Sequence, residues 1–312
     1  MKIVSYNILN PVFAERDGYP LVDGVPSPEN IYYFLPDYGT NSLSRISFII
    51  DNIRRQFPDV ILLQEVDDIT YLNLKFVFND FDSFYAKITF NVEEIEETEE
   101  TNGVCIFWKK QYKSSVPIII TAEKGDIHNS VIIDLHERDD LHENIRWTRI
   151  ACVHLKDDDP NTRGAMDQLK QLVEIVETPP EDYSINDTII GGDFNADYSQ
   201  RDKGKPSDER LVYMSGEGYR NAVDTTKDQL FPTYLVNKKI IDYIFHKSGI
   251  ISGGTIKYVY NTTNDYCQTS GSDHLLISAL IKPKVGGGAP KKAKKPVKKP
   301  VKKPAKKPAK KK

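Results

Sequence analysis

Short apolar runs separated by turn-rich segments follow one another along residues 1–283, and the spacing within each run predicts a strand or a helix. Strand patterns cover Lys2–Leu9, Asp59–Leu63, Phe84–Phe90, Val104–Trp108, Val116–Ile120, Val131–Leu135, Ile145–His154, Thr188–Gly192, Ile240–Phe245, Thr255–Tyr260 and Leu275–Ile281. Helical spacing covers Ser42–Gln56, Ile69–Phe78 and Thr162–Val176. Because strands outnumber helices and alternate with them in places, we expect an α/β fold: a four-layer α/β sandwich of two mixed β-sheets flanked by helices.

Polar motifs lie at the ends of several of these apolar runs. They are Ser5-Tyr6-Asn7, Gln64-Glu65, Gly191-Gly192-Asp193-Phe194-Asn195 and Ser272-Asp273-His274. A fold that gathers them builds a pocket of amide, carboxylate and imidazole groups. Hydrolysis of a phosphate ester needs a divalent ion, a positioned water and a stabilised leaving oxygen. Mg²⁺ is typically held by only one or two carboxylates, and the sequence has no Cys/His cluster with zinc spacing. The motifs therefore predict metal-assisted hydrolysis of a phosphate ester.

The composition changes near residue 284 and divides the chain into a body, a linker and a tail. Residues 284–290 form a Gly-rich linker, and residues 291–312 repeat Lys, Pro, Ala and Val. Such a tail lacks the apolar surface needed to offset its ordering entropy, so we predict a disordered, basic C-terminal tail. Setting aside its 13 lysines leaves 29 basic against 45 acidic residues, a net charge of −16 for the catalytic body and linker.

The charge of the tail predicts binding to nucleic acid or another polyanion, with Lys291, Lys292, Lys294 and Lys295 as candidate contacts. The alternative is a solubility or localisation appendage, including nuclear targeting. Repeats of this kind resemble linker-histone tails and the tails on some proteins of large DNA viruses.

Cysteine use and hydropathy predict a soluble, intracellular protein, either cytoplasmic or nuclear, and we expect a monomer. The three cysteines lie in or beside apolar runs without a CxxC spacing, which favours free buried thiols in a reducing compartment. The chain opens directly on a strand pattern, without a signal-peptide pattern. Its apolar runs are all shorter than the roughly 20 residues that span a bilayer, so no membrane association is expected.

Five motifs, taken in order, resemble the series found in the endonuclease/exonuclease/phosphatase superfamily, whose members share the deoxyribonuclease I-like fold. They read Ser-Tyr-Asn-Ile-Leu, Leu-Gln-Glu-Val, Gly-Asp-Phe-Asn, Ile-Asp-Tyr-Ile-Phe and Ser-Asp-His. The resemblance covers residues 1–283 and implies one catalytic domain over that range. Secondary matches at Arg45, Asn102–Phe107 and Val153–Lys156 are most similar to the deadenylase-like branch of nocturnin and the Angel proteins.

The resemblance implies a metal side and a phosphate side in one pocket. On the metal side, Glu65 would be the main Mg²⁺ ligand, Asn7 would lie beside it, and Asp273 would lie near the ion, with Mn²⁺ as the alternative cofactor. On the phosphate side, Asp193 would orient or deprotonate the attacking water.

Hydrogen-bond donors complete the implied phosphate side. Asn195 and His154 would donate to the phosphate oxygens, and His274 would contact the phosphate with Asp242 as its carboxylate partner. A carboxylate of this kind fixes the tautomer of a histidine and favours its cation. His128, His136, His142 and His246 are interpreted as packed or surface residues.

The favoured function is a Mg²⁺-dependent phosphodiesterase acting on nucleic acid, with RNA favoured over DNA, of the 3′-exoribonuclease or deadenylase type. An enzyme for a small phosphorylated molecule, such as an inositol phosphate, a dinucleotide or a 2′,5′-oligonucleotide, remains open. A DNA endonuclease is less favoured, because duplex binders usually present a basic face and this body is acidic. A non-catalytic scaffold that binds nucleic acid is the last alternative.

Overall fold

The computed structural model describes residues 1–11, 41–91, 99–121, 128–137, 146–157, 164–197, 208–222, 233–234, 239–247, 250–255 and 272–282. Most of the predicted Pro11–Thr40 loop, the Gly-rich linker and the basic tail lie outside these ranges, as do Lys291, Lys292, Lys294 and Lys295.

The described elements alternate between strands and helices. The strands are β1 (Lys2–Asn7), β2 (Val60–Gln64), β3 (Phe81–Asn91), β4 (Glu99–Lys109), β5 (Tyr112–Ser114), β6 (Ile118–Thr121), β7 (Asn129–Glu137), β8 (Trp147–His154), β9 (Ile185–Asp193), β10 (Arg220–Asn221), β11 (Asp242–His246), β12 (Ile250–Thr255) and β13 (Ile277–Lys282). The helices are α1 (Asn41–Arg54), α2 (Asp68–Val77), α3 (Gly164–Glu177) and α4 (Glu209–Gly216).

Two mixed sheets are formed by the described strands. Sheet 1 has the order β12-β13-β1-β2-β4-β3, and sheet 2 has the order β10-β11-β9-β8-β7-β5, with β6 also paired to β7. Each sheet contains one parallel pair, β1–β2 in sheet 1 and β8–β9 in sheet 2, among antiparallel neighbours. The carboxyl ends of the two parallel pairs carry most of the polar motifs.

The alternation of apolar residues along the central strands divides them between two packing layers. Val60 and Leu62 face the other sheet, whereas Ile61 and Leu63 pack with the isoleucines of α1. On the far side, Leu172 of α3 and Met214 of α4 pack against sheet 2. This period of two is what a strand covered on both faces requires. The layers run helices, sheet 1, sheet 2, helices, which confirms the predicted α/β sandwich.

The structure adds elements that the sequence pattern missed. The strand Ile250–Thr255 was not predicted over residues 250–254, where glycines at 253 and 254 interrupt the apolar alternation. Of the strand predicted at Thr255–Tyr260, only Thr255 lies within the described ranges. The short elements β5, β10 and α4 were also missed, because segments of this length carry too few apolar positions for a period to emerge.

The buried cysteines fit the predicted chemistry. Cys105 and Cys152 are free and buried. Burial raises the pKa of the Cys152 thiol to about 12 and holds that of Cys105 well above its ordinary value. Both thiols therefore stay protonated near neutral pH, which makes them poor nucleophiles. Cys267 lies outside the described residues.

Among the helices within the described ranges, none is long and apolar enough to cross a membrane.

Candidate active site

Strand ends from both sheets meet at one edge of the sandwich. In sheet 1, the parallel register sets Asn7 beside Gln64 at the ends of β1 and β2. In sheet 2, β8 and β9 end side by side at His154 and Asp193. The antiparallel strand β11 begins at Asp242, directly opposite Asp193. The topology thus gathers polar residues that lie far apart in the sequence.

Glu65 follows β2 and has both carboxylate oxygens hydrogen-bonded. Asn7 donates from Nδ2 to Glu65 Oε1 at 2.8 Å and to Asp193 Oδ2 at 3.1 Å. The N–H of Asn10 donates to Glu65 Oε2 at 3.2 Å. The Oδ1 of Asn7 accepts the N–H of Leu9 at 3.1 Å. Asn7 therefore links the two carboxylates through its amide nitrogen, and its role as a metal ligand stays a prediction.

Asp193 is 2% exposed, and its charge is poorly solvated. Burial, together with the nearby Asp242 carboxylate, raises the pKa of Asp193 to about 7, although the His274 cation and hydrogen bonds oppose the rise. One of these hydrogen bonds comes from the N–H of Asn195 to Oδ1 at 2.8 Å. A pKa near neutrality suits a group that must accept a proton during a reaction at that pH.

His274 and Asp242 form the pair that the motifs predicted. The Nδ1 atom of His274 lies 2.9 Å from Asp242 Oδ2, and both residues are buried. Burial alone lowers the pKa of His274, but the carboxylates of Asp242, Asp273 and Asp193 outweigh it and raise this pKa well above its ordinary value. Nε2 lies 3.7 Å from Asp193 Oδ2 and 3.9 Å from Asp273 Oδ1. The ring is therefore cationic and directed into the carboxylate cluster.

Ser272 joins the last motif to the first. Its Oγ donates to the carbonyl oxygen of Asn7 at 2.7 Å and accepts the N–H of His274 at 3.2 Å. The hydroxyl thus fixes the turn that carries His274 against the end of β1, although the two segments are 265 residues apart.

Thr233 ties the starts of β11 and β13 together. Its Oγ1 accepts the N–H groups of Ile241 and Asp242 at 3.0 and 3.1 Å, and its carbonyl oxygen accepts the N–H of Leu275 at 2.7 Å. The adjacent Tyr234 places its ring centroid 4.9 Å from that of His274. These contacts hold Asp242 and His274 in register.

His154 approaches the same carboxylates from the end of β8. Its Nε2 is 3.8 Å from Glu65 Oε1 and 4.0 Å from Asp193 Oδ2. The ring centroid of His128 lies 4.6 Å from that of His154. His128 was interpreted as a packed or surface residue, and the structure places it at the border of the site. His136 and His246 are buried elsewhere in sheet 2.

Asn195 lies in the loop that follows β9. Its backbone has a left-handed φ of 51°, and its Nδ2 donates to the carbonyl oxygen of Leu155 at 2.8 Å. The amide nitrogen therefore has a partner in this arrangement, and donation to a phosphate oxygen stays a prediction. The contact ties the loop after β9 to the residue that follows His154.

Glu65, Asp193 and His274 form a candidate metal centre within the described part of the chain. Each places one ligand atom within 4.8 Å of the ligand atoms of the other two. Oxygen ligands are those preferred by Mg²⁺ and Mn²⁺, and the two carboxylates provide them. The raised pKa of His274 keeps its Nε2 protonated, which leaves the carboxylates as the better donors for a hard cation. The residues present therefore fit a divalent metal of this class.

Several residues at the site escaped the motif analysis. Most of their contacts are with backbone atoms in the case of Thr233, Asn10 and Arg210. A backbone atom is present whatever the residue type, so such contacts leave no motif in the sequence. Asn10 alone had a signal, because it follows the first motif by three residues. His128 was missed because its ring comes near that of His154 only once β7 and β8 are paired.

Comparisons with known structures support the same fold. The human Nocturnin catalytic domain with bound sulfate is 17% identical over 90% of this chain and 94% of that one, with a TM-score of 0.60. ANGEL2, described as a 2′,3′-cyclic phosphatase in complex with adenosine-2′,3′-vanadate, is 14% identical over 89% of this chain and 94% of that one, with a TM-score of 0.63. TDP2 from D. rerio with a single-strand DNA product is 16% identical over 89% and 97%, with a TM-score of 0.58.

These identities show a shared fold and do not choose an activity. Among curated proteins, none matches the sequence significantly. The sequence does match the profile of the endonuclease/exonuclease/phosphatase family over residues 4–274, a range that starts in β1 and ends at His274. The chain therefore belongs to the endonuclease/exonuclease/phosphatase family, and it is a metal-dependent phosphoric ester hydrolase.

Proposed function

We propose that this protein is a Mg²⁺-dependent phosphodiesterase that hydrolyses nucleic acid, as a 3′-exoribonuclease of the deadenylase type. The observation that carries the proposal is the cluster of Glu65, Asp193 and His274, whose ligand atoms lie within 4.8 Å of one another. It lies beside His154 and Asn195, which are candidate donors to a phosphate. The chain shares its fold with Nocturnin and ANGEL2, as it does with TDP2. The choice of branch therefore rests on the motif matches at Arg45, Asn102–Phe107 and Val153–Lys156.

Glu65 would hold the divalent ion, with Asn7 beside it and Asp273 near it. When bound, the ion would neutralise negative charge on the phosphate. Asn7 fixes both carboxylates by donating to each of them. Without such a link, two carboxylates this close would repel each other and turn apart.

Asp193 would accept the proton of the attacking water. Its burial and its raised pKa of about 7 make it a stronger base than a solvated aspartate. His274, held cationic by Asp242, would place positive charge against the phosphate as charge develops in the transition state. His154 would donate a hydrogen bond to a phosphate oxygen.

An alternative substrate is a small phosphorylated molecule, including a cyclic phosphate. The observation that favours it is the net charge of −16 outside the tail, which would repel a long polyanion. On the first proposal, the basic tail compensates for this charge and holds the nucleic acid near the catalytic domain of residues 1–283.

A substrate panel tests the proposal. Purified protein is incubated with end-labelled poly(A), random-sequence RNA, single-stranded DNA of equal length, and adenosine 2′,3′-cyclic phosphate, each with Mg²⁺, Mn²⁺ or EDTA. We expect stepwise shortening of RNA from the 3′ end with Mg²⁺ and none with EDTA. Hydrolysis of the cyclic phosphate alone would select the small-molecule alternative. Cleavage that survives EDTA would contradict metal dependence, and cleavage of DNA alone would contradict the preference for RNA.

Replacement of the proposed base, Asp193, tests its role against a control substitution in the same strand. Asp193→Asn should lower kcat by about 100- to 10,000-fold, the usual contribution of a general base, while RNA binding is retained. Asp187→Asn, in the same strand but at its far end, is the control and should keep its turnover. Equal turnover of wild type and Asp193→Asn would contradict the assignment of Asp193.

A further inference from the structure

Arg210 is a buried cation that contacts both loops leading out of the candidate site. It lies in the first turn of α4 and is only 3% exposed. Its Nη1 donates to the carbonyl oxygens of Phe194 and Lys156 at 3.2 and 3.3 Å, and its Nη2 donates to that of Asn195 at 2.8 Å. Asp208 balances the charge, with distances of 2.9 Å from Nε to Oδ1 and 2.7 Å from Nη2 to Oδ2.

The two loops that Arg210 joins carry different parts of the proposed chemistry. Lys156 follows His154 by two residues, at the end of β8. Phe194 and Asn195 follow Asp193, at the end of the neighbouring parallel strand β9. One guanidinium therefore fixes the exits of both strands, and with them the separation of the two sides of the pocket.

The loop after β9 needs such a constraint because of its backbone. Asn195 has a φ of 51°, a left-handed conformation that residues with a side chain adopt less readily than glycine. The N–H of Asn195 donates to Asp193 Oδ1 at 2.8 Å, and the carbonyl oxygen of Phe194, in the same peptide, accepts from Arg210 at 3.2 Å. Arg210 therefore holds the peptide whose N–H orients the proposed base.

The geometry requires a guanidinium rather than any cation. Its planar fork donates in fixed directions, whereas the ammonium of lysine is a single point on a flexible stem and cannot reach five acceptor atoms. A buried ion pair is also weak evidence for stability, because desolvation offsets most of its attraction. The role of Arg210 is therefore sought in the carbonyl groups that it holds in position.

We propose that Arg210 is a positioning residue, which sets Asp193 and Asn195 relative to His154 for the phosphoester hydrolysis proposed above, on which this inference rests. Arg210 touches no reacting atom, and it acts through the two loops.

The chain provides a matched control in Arg149. This residue is also 3% exposed and forms a double contact with Asp134 at 2.7 and 2.8 Å. It donates to the carbonyl oxygens of Val176 and Thr178 at 2.9 and 2.6 Å, at the end of α3. Arg149→Lys therefore disturbs an equally buried network that does not touch the residues of the candidate site.

The first test compares the steady-state kinetics of Arg210→Lys and Arg149→Lys at a temperature below the thermal unfolding midpoints of both variants. Loss of positioning should lower kcat of Arg210→Lys by about 100-fold with little change in KM. A displacement of about 1 Å at the base reduces the stabilisation of the transition state and leaves substrate binding unchanged. Arg149→Lys should keep the wild-type kcat. A fall in kcat that is the same in both variants, or a wild-type kcat in Arg210→Lys, would overturn the inference.

The second test is amide hydrogen exchange, which needs no substrate. The N–H groups of Phe194 and Asn195 should exchange faster in Arg210→Lys and remain protected in Arg149→Lys. Unchanged exchange at these amides would overturn the positioning role even if kcat had fallen. If the wild type cleaves no substrate, the proposed function fails, and the exchange comparison still decides whether Arg210 fixes this loop.

Discussion

At the scale of single residues, the buried histidines His274 and His246 differ in protonation because their neighbours differ. His274 faces carboxylates, which overcome its burial and raise its pKa. His246, in β11, has neither ring nitrogen hydrogen-bonded within the described part of the chain, and burial lowers its pKa. Asp187 opposes that shift and Arg220 reinforces it. The first histidine is therefore suited to hold charge at the site, and the second is a neutral core residue.

The lowered pKa of His246 predicts a loss of stability in mild acid. The unfolded chain binds this proton near the ordinary pKa of 6.5, whereas the folded protein binds it only at lower pH. The unfolded state therefore holds more protons over that interval, and the free energy of unfolding falls as the pH falls below about 6.5, by at most about 1.4 kcal/mol per pH unit.

Urea unfolding of the wild type and of His246→Leu between pH 5 and pH 8 measures this contribution. We expect a shallower fall in the variant, since leucine binds no proton, while the carboxylates that titrate in the same range are common to both proteins. Parallel curves for the two proteins would contradict the assignment of His246.

At the scale of elements, the close approach of β8 and β9 depends on Gly192. Its φ is +149°, and a Cβ built there would lie 2.0 Å from the carbonyl oxygen of Val153 in the neighbouring strand. Neither backbone can yield without breaking the parallel ladder that places His154 beside Asp193. The glycine is therefore needed for the register that aligns the site.

Gly192→Ala should lower the free energy of unfolding by about 3 kcal/mol or more, from the combined clash and backbone strain. The matched control is Gly191→Ala, whose added Cβ would clash with Cδ1 of Leu62 at 2.7 Å, a side-chain end that can turn away, and would lie at ordinary contact distances of 3.5 and 3.6 Å from Ile244 Cγ1 and the carbonyl oxygen of Tyr243. Chemical unfolding of both variants gives the comparison. A Gly192→Ala protein as stable as Gly191→Ala would show that β9 can shift without cost.

The elements that the sequence predicted are those whose own residues show a periodic spacing of apolar positions. Ile61 and Leu63 alternate with Val60 and Leu62, so β2 and its covered faces could be recognised without knowing its neighbours. The candidate site could be predicted for the same reason, because Glu65 directly follows a buried strand and Asp193 ends one. Arg210 could not be predicted, since its five acceptors come from separate loops and three of them are backbone oxygens.

At the scale of the whole molecule, the sequence divides charge between an acidic body and a basic tail. The chain has a net charge of −3, but 13 lysines lie in residues 291–312 and the remainder carries −16. The candidate site itself concentrates Glu65, Asp193, Asp242 and Asp273. A divalent ion offsets part of that charge locally, while a long polyanion still meets an acidic surface at a distance. Binding of nucleic acid is therefore expected to depend on the tail.

Removal of residues 284–312 should weaken RNA binding and flatten its dependence on salt. If about six lysines contact phosphates of a single strand, the slope of log K against log salt is near −4 for the full chain. Fluorescence anisotropy with labelled RNA, measured in the Asp193→Asn background to prevent cleavage, gives both slopes. A full-length chain with every tail lysine replaced by arginine is the matched control and should keep the steep slope, since charge alone is at issue. Equal slopes with and without the tail would show that the RNA is bound by the catalytic domain itself.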